Sequence, residues 1–224
     1  MTANQNIPRD DFDRSRAENY QVLALLLSAP PSRAVLDLIA DLKGDGSALG
    51  RAWDALAQRA GPADPAGIER EFFELFTGVG RGELLPYASF YVTGFLHERP
   101  LAELRGDLMR LGIARQPDDH DPEDRIALLC AVMAAYARGD LPKDQPTDAA
   151  GAEANEAVAG PADTQPDEAS FFARHLAPWA ALFFEDLDQA PAADFYRAVA
   201  RVGKEFMKTE QQAFALGAQD RAVA

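Results

Sequence analysis

The chain has 224 residues, of which 47% are hydrophobic and 26% are charged, and its formal net charge is −14 at pH 7. This length can bury a sizeable core, in one domain or in two small ones. The negative charge argues against nucleic acid or an anionic membrane as a partner, and the single cysteine, Cys130, excludes an internal disulfide and any multi-cysteine metal site.

The composition also favours helices and a cytoplasmic location. Alanine and leucine are abundant and β-branched residues are sparse, a balance that favours helix over strand. No apolar run approaches the ~20 residues that a membrane span needs. Residues 1–20 are polar and lack the apolar segment of a signal peptide, so we expect the chain to stay in the cytoplasm.

The first part of the chain predicts three helices. The first spans 10–28 and ends ahead of two consecutive prolines. Ser32 is expected to cap the second helix and Ser47 the third, because a serine hydroxyl accepts a hydrogen bond from a free N–H of the first turn. Gly44 and Gly61 follow the apolar patterns of these two helices and predict where they end.

A phenylalanine-rich helix is predicted over 65–77. Asp64 is expected to cap it, Pro65 suits its first position and Gly78 its end. Its apolar arc spans roughly 160°, more than packing on a core requires. Either both sides of the arc are buried, or part of it faces a groove that receives an apolar partner. The arc contains five large side chains: Ile68, Phe72, Phe73, Leu75 and Phe76.

Three further helices are predicted before residue 140. Residues 86–96 predict a short one, and Pro100 begins another, whose leucines form an inward stripe that ends at Gly112. The sequence Asp-Pro-Glu-Asp at 121–124 is a strong start signal, with a capping acid and a proline in the first position, for a helix that runs to Gly139. A cap alone would explain these acids.

The rest of the chain contains a loop and two more helices. Residues 140–166 are rich in Ala, Gly, Pro, Asp and Glu, so we interpret them as a disordered acidic linker or an extended loop. The helix that follows is expected to kink at Pro178, and the last helix spans 191–216. The sequence therefore predicts an all-α protein: a single bundle of roughly nine helices, with a part at 1–139 that carries the motifs below and a part at 167–224 that completes the bundle.

Two motifs, at 71–91 and 121–127, resemble those of a known family. The first reads Glu71-Phe72-x-x-Leu75-Phe76-x-Gly78, followed by Pro86-Tyr87-x-Ser89-x-Tyr91. The second reads Asp121-Pro122-Glu123-Asp124-Arg125-Ile126-Ala127. Together they look like the motifs of the TorD/DmsD/NarJ family, cytoplasmic chaperones that help to mature molybdenum-cofactor redox enzymes. Arg125 stands where that family usually has histidine.

The resemblance implies a non-enzymatic chaperone with no cofactor of its own. Its partner would be the signal or N-terminal region of a molybdoenzyme catalytic subunit, often one that bears a twin-arginine export signal, and it would assist cofactor insertion before export. An alternative is a NarJ-like assembly chaperone for a molybdoenzyme that is not exported. A long loop between two helical halves is compatible with a monomer or with a domain-swapped homodimer, which relatives form.

A twin-arginine signal joins basic residues to an apolar segment, so its receptor needs carboxylates beside an apolar groove. The carboxylates are expected from Glu123 and Asp124, with Glu69 or Glu71 as outer candidates. Arg125 belongs to the same predicted site, but it stays cationic and would repel an arginine pair unless a neighbouring acid pairs with it. The groove is expected to be lined by Phe72, Leu75, Phe76, Pro86, Tyr87 and Tyr91.

A metal-dependent helical hydrolase is the rival hypothesis from another class. Asp118, Asp119 and His120, with the acids at 121–124, crowd carboxylates around an imidazole, which is compatible with a divalent metal. These residues are consecutive in a predicted loop, and no second histidine lies at ligand spacing. A solvated acidic loop is the simpler interpretation, and we predict neither a metal nor a cofactor.

Overall fold

The computed structural model describes residues 9–115, 121–141 and 165–223. Within these ranges it contains ten α-helices and one π-helical turn, and no β-strand. The all-α prediction is therefore confirmed. In chain order the helices are α1 (Arg9–Ser28), α2 (Arg33–Ala40), α3 (Ala48–Ala60), α4 (Pro65–Phe72), α5 (Ala88–Thr93), α6 (Arg99–Arg110), α7 (Ile126–Arg138), α8 (Glu168–His175), α9 (Ala180–Gln189) and α10 (Phe195–Val223).

Several helix starts follow from local sequence signals. The Ser32 hydroxyl accepts from the Val35 N–H at 3.4 Å, and the Ser47 hydroxyl accepts from the Gly50 N–H at 2.9 Å. The Asp64 carboxylate caps α4, with proline in the first turn. These three predicted caps are confirmed. Each satisfies an N–H group that the helix itself cannot pair.

The core is built around α7, which packs mainly against α1. Nine of the 13 residues of α7 are buried, as expected of a helix that is largely apolar all round. Cys130 lies in this helix, and burial raises the pKa of its thiol well above the ordinary value. The long α10 packs along α9 and α3 and also contacts α1 and α4, so it joins helices from both ends of the chain.

The predicted kink at Pro178 is a complete break between α8 and α9. Proline has no N–H to donate, and its ring clashes with the carbonyl one turn earlier. The N–H groups of Leu176 and Ala177 both donate to the Phe172 carbonyl, and the Trp179 indole donates to the His175 carbonyl at 2.7 Å. The break accounts for ten helices where roughly nine were predicted.

The π-helical turn spans Phe73–Thr77 and continues α4 directly. It ends because the Gly78 N–H donates to the Phe73 carbonyl at 2.7 Å and Gly78 adopts a φ of +62°. A Cβ atom at Gly78 would lie 2.0 Å from the Arg81 carbonyl oxygen, so only glycine fits this turn. The turn lies inside the first motif and folds the following loop back on it, so that the Leu84 N–H donates to the Leu75 carbonyl at 2.8 Å.

A buried charged cluster joins α6 to α8. The Asp107 carboxylate is fully buried and lies 2.7 Å from Nε2 of His175, 2.7 Å from Arg110 and 2.9 Å from Arg174. Burial lowers the pKa of His175 below its ordinary value of 6.5, although Asp107 acts in the opposite direction. Histidine is therefore neutral here at pH 7 and donates to the carboxylate.

We expect His175 to make the fold acid-sensitive. Its folded-state pKa lies below that of the unfolded chain, so the unfolded state takes up the proton first as the pH falls. The stability contributed by neutral His175 is thus complete above about pH 6.5 and decreases below it. Urea unfolding between about pH 7 and pH 5.5 should show a smaller pH slope in His175→Gln than in the wild type.

The matched control for this prediction is the exposed His97. Its φ of +62° suits asparagine, so His97→Asn should keep the wild-type pH slope. Equal slopes in the wild type and in His175→Gln would contradict the prediction.

Most of the predicted linker at 140–166 lies outside the described residues, so that interpretation stays a prediction. Among the helices of the described ranges, each is too short or too polar to cross a lipid bilayer.

Candidate functional site

A short antiparallel β-bridge joins the two sequence motifs. The Ile126 N–H donates to the Pro86 carbonyl at 2.9 Å, and the Ala88 N–H donates to the Asp124 carbonyl at 2.9 Å. The residues that the sequence places 35 or more positions apart therefore form one corner of the molecule, where α5 and α7 begin.

Asp124 caps α5 and not the helix that follows it. Its Oδ2 accepts from the Ser89 N–H at 2.7 Å, and its side chain is 0% exposed. Tyr87, the residue directly before α5, supplies no side-chain cap. The sequence prediction that 121–124 begins a helix is wrong, because the bridge holds this segment against α5 and α7 begins only at Ile126.

We expect Asp124→Ala to lower the free energy of unfolding by about 1.5–3 kcal/mol, the usual worth of a hydrogen bond to a charged group. The change removes the acceptor of the Ser89 N–H inside the fold. Asp124→Asn keeps an acceptor oxygen and should lose less than half as much. Urea denaturation at pH 7 measures both. A loss under about 0.5 kcal/mol in Asp124→Ala would contradict this role.

Glu71, the acid that opens the first motif, caps α10. Its carboxylate accepts from the N–H groups of Asp194 at 2.8 Å, Phe195 at 3.1 Å and Tyr196 at 2.7 Å. A carboxylate at a helix N-terminus satisfies free donors and is favoured by the helix dipole. Glu69, the other outer candidate, is exposed on α4.

Glu123 lies at the corner and is paired with two arginines of this chain. Its carboxylate accepts from Arg105 at 2.8 and 3.0 Å and lies 3.7 Å from Arg115. Burial by itself would raise the pKa of Glu123, but the hydrogen bond from Arg105, a backbone hydrogen bond and the charges of Arg105 and Arg115 together outweigh it, and the pKa is lowered. Glu123 is therefore ionised at neutral pH, and its charge is compensated by the two arginines.

Arg125 connects the corner to the end of α1. Its Nη1 donates to Asp121 at 2.8 Å, and its Nη2 donates to the carbonyls of Leu27 at 3.0 Å and Ser28 at 3.4 Å. The carbonyls of a helix end lack intrahelical partners and carry the negative end of the dipole, so a guanidinium is well placed there. This structural role was not foreseen from the sequence.

An open crevice of about 350 Å³ lies between α1 and the start of α7 at this corner. Segment 121–125 contributes most of its polar boundary, together with Gln21 and Ser28. Leu25 on α1 is 44% exposed, although it follows buried positions on the same helix. The apolar wall consists of Ala24, Leu25, Ala127, Leu128 and Ala131.

The predicted groove residues lie elsewhere. Leu75 is fully buried and Phe72 is 9% exposed. The Phe76 ring is 5.0 Å from the ring of Phe72 and 5.5 Å from that of Tyr196. The phenylalanines of the first motif therefore pack largely against the start of α10, and none of them lines the corner crevice.

The remaining aromatic candidates anchor α5. Pro86 is buried, and Tyr87 is half-buried beside the bridge. The Tyr91 hydroxyl donates to Asp186 on α9 at 3.0 Å, and its ring lies 5.3 Å from the ring of Trp179. Burial, together with the Asp186 charge, raises the pKa of the Tyr91 phenol. These residues position α5, and whether they contact a client stays a prediction.

One sequence signal could have indicated the crevice wall: apolar residues that lie off the buried face of a helix. Leu25 and Leu128 are apolar residues outside the inward stripes of α1 and α7, and the sequence interpretation did not select them.

The rival hydrolase site at Asp118, Asp119 and His120 lies outside the described residues. Across 9–115, 121–141 and 165–223, no three His, Cys, Asp or Glu side chains are grouped so that they could hold a metal ion.

The described residues form a helical bundle in which a bridge joins the two motifs and an open, partly apolar crevice lies beside the second motif. Comparison with known families is more specific. The chain belongs to the nitrate reductase delta subunit family, whose model matches residues 43–185 and so includes both motifs. The family resemblance noted from the sequence is confirmed.

Two relatives share one name, chaperone protein TorD. The one from Vibrio cholerae serotype O1 is 28% identical over 145 residues, which cover 64% of this chain and 60% of the relative. The one from Aliivibrio fischeri is 27% identical over 132 residues, which cover 52% of this chain and 61% of the relative. The matched region thus spans about three fifths of the length of these curated relatives.

Proposed function

We propose that this protein is a cytoplasmic, non-enzymatic chaperone for the maturation of a molybdenum-cofactor redox enzyme. It binds the signal or N-terminal segment of the catalytic subunit and keeps that subunit from export or final assembly until the cofactor is inserted. Family membership and the chaperone names of the relatives support the class of function. The observation that supports the binding site is the corner crevice, which opens between α1 and the second motif, next to the bridge that joins this motif to the first.

The crevice suits an apolar peptide segment. Its wall offers two leucines and three alanines, and the exposed fraction of Leu25 leaves apolar surface for a partner to cover. Burying one leucine or phenylalanine of a client is worth about 1.5–3 kcal/mol. A few such contacts reach the roughly 8 kcal/mol of micromolar affinity. Arg125 ties the segment at 121–125 to the end of α1, so both sides of the crevice are held before a client arrives.

Peptide titration tests this proposal. Synthetic peptides that copy the N-termini of molybdoenzyme subunits encoded beside this gene are titrated into the protein by calorimetry. We expect saturable micromolar binding of at least one of them and none of its scrambled version. If no such peptide binds, the proposed function is wrong.

A metal measurement separates the proposal from the rival hydrolase. Stoichiometric divalent metal in the purified protein that disappears in His120→Ala would favour the hydrolase. For a chaperone we expect no such metal, because the acidic segment around His120 then has no catalytic role.

A further inference from the structure

Two carboxylates of the corner, Glu123 and Asp121, are already paired with arginines of this chain. Glu123, whose side chain is only 12% exposed, is paired with Arg105 and Arg115. Asp121 accepts a hydrogen bond from Arg125 at 2.8 Å. Three guanidinium groups therefore surround the two acids that a client's arginines would have to reach.

The third acid of the corner is enclosed. Asp124 is 0% exposed, and one of its oxygens accepts a hydrogen bond from the Ser89 N–H. Its other oxygen, Oδ1, has no hydrogen-bond partner among the described residues. Because no surface of the side chain is open, a client guanidinium cannot reach this oxygen unless α5 moves away from the bridge.

We propose that the corner crevice binds an apolar, uncharged stretch of the client and does not read an arginine pair. This inference rests on the proposed function and names the class of partner: a molybdoenzyme subunit whose recognised segment needs no twin-arginine signal. It differs from the sequence-based expectation, in which Glu123 and Asp124 receive the arginines of an export signal.

The physical reason is that charge recognition here would exchange one ion pair for another. A client arginine at Glu123 must displace Arg105 or Arg115, so the number of pairs stays the same while the displaced arginine remains nearby. Arg125 adds a further like charge in the crevice wall. An apolar contact with Leu25 or Leu128 displaces no partner, so its burial adds directly to affinity.

The first test compares three synthetic peptides by calorimetry. All share one leader sequence: the first carries an arginine pair and a leucine-rich stretch, the second replaces the pair with two glutamines, and the third keeps the pair but replaces the leucines with serines. We expect the first two to bind within about twofold of each other, because the pair makes no net contact. The third should bind at least about tenfold more weakly, since it loses buried apolar surface.

The second test removes the arginines that pair with Glu123, so that its carboxylate can bind a client arginine. In the double variant R105Q/R115Q, Glu123 loses both of its cationic partners. We expect the arginine-pair peptide to bind this variant at least about fivefold more tightly than the glutamine peptide. The control is Arg99→Gln, which removes an exposed arginine that pairs with Glu103 away from the crevice, and it should leave both affinities at wild-type values.

The outcomes separate this inference from the proposed function. If none of the peptides binds, both are overturned. If peptides bind but the glutamine version is about tenfold weaker on the wild-type protein, the inference alone is overturned; a loss of that preference in D118N/D119N would then place the arginine site on two acids outside the described residues. Equal binding of both peptides to R105Q/R115Q would overturn the claim that Arg105 and Arg115 prevent Glu123 from binding a client arginine.

Discussion

Replacing Glu210 with alanine should lower the free energy of unfolding by about 3–5 kcal/mol, because the buried guanidinium of Arg16 loses its most buried carboxylate partner. Glu210 is 0% exposed on α10, and its two oxygens accept from Nε and Nη2 of Arg16 at 2.7 and 2.6 Å. The Tyr20 hydroxyl also donates to Glu210, at 2.8 Å. The change therefore removes a carboxylate partner from two side chains of α1 at once.

The same network includes α8. Nη2 of Arg16 lies 2.8 Å from Glu168, so three helices from distant parts of the chain share one guanidinium. Burial and the Glu210 carboxylate raise the pKa of the Tyr20 phenol, which keeps it a neutral donor. A domain of ordinary stability has about 5–15 kcal/mol in total, so this one change should remove a large share of it.

Thermal and urea unfolding measure the effect. For a chain of this size, the expected loss lowers the melting temperature by roughly 6–20 °C. Lys208→Ala, an exposed change on the same helix, is the control and should alter stability by less than about 0.5 kcal/mol. A loss below about 1 kcal/mol in Glu210→Ala would mean that Glu168 and Asp13 suffice to compensate the charge of Arg16.

Leu25→Glu should weaken peptide binding by roughly tenfold or more while the fold keeps its stability. The expected loss combines the burial of the exposed part of Leu25, about 1 kcal/mol, with an added cost for burying a carboxylate against an apolar client. Leu25 is 44% exposed on α1, so the unbound protein loses little when it is replaced. Calorimetric titration of the same leader peptide into both proteins gives the ratio of dissociation constants.

Leu38→Glu is the matched control for this prediction. Leu38 is 71% exposed on α2 and lies outside the crevice, so its replacement adds the same charge without touching the proposed site. We expect wild-type affinity in this variant. If both variants weaken binding equally, the effect is one of overall charge, and the crevice is not the peptide site.

Much of the fold could be predicted because its signals are local. Ser32, Ser47 and Asp64 cap helices that begin at the next residue, and each makes its hydrogen bond within three positions along the chain. The apolar spacing of each helix lies within a few turns. Such signals depend only on neighbours, so no knowledge of tertiary contacts is needed to interpret them.

The site was predicted less well, because its key contacts are distant in sequence. The acid Asp124 looks like the start of the next helix, yet its carboxylate caps α5, 35 residues earlier in the chain. Glu71 similarly serves the first turn of α10, between 123 and 125 positions later. A capping acid shows no local sign of which helix it will serve, since the geometry of the partner decides it.

The amino-acid sequence by itself determined that this protein is helical, where most helices begin and end, and which family it resembles, because these properties follow from short-range patterns of apolar, capping and turn residues. Only the tertiary structure decided which acids are matched by arginines, which phenylalanines are enclosed and where a crevice stays open. These depend on which faces of α1, α5, α7 and α10 meet, and that choice is made by the packing of the whole bundle.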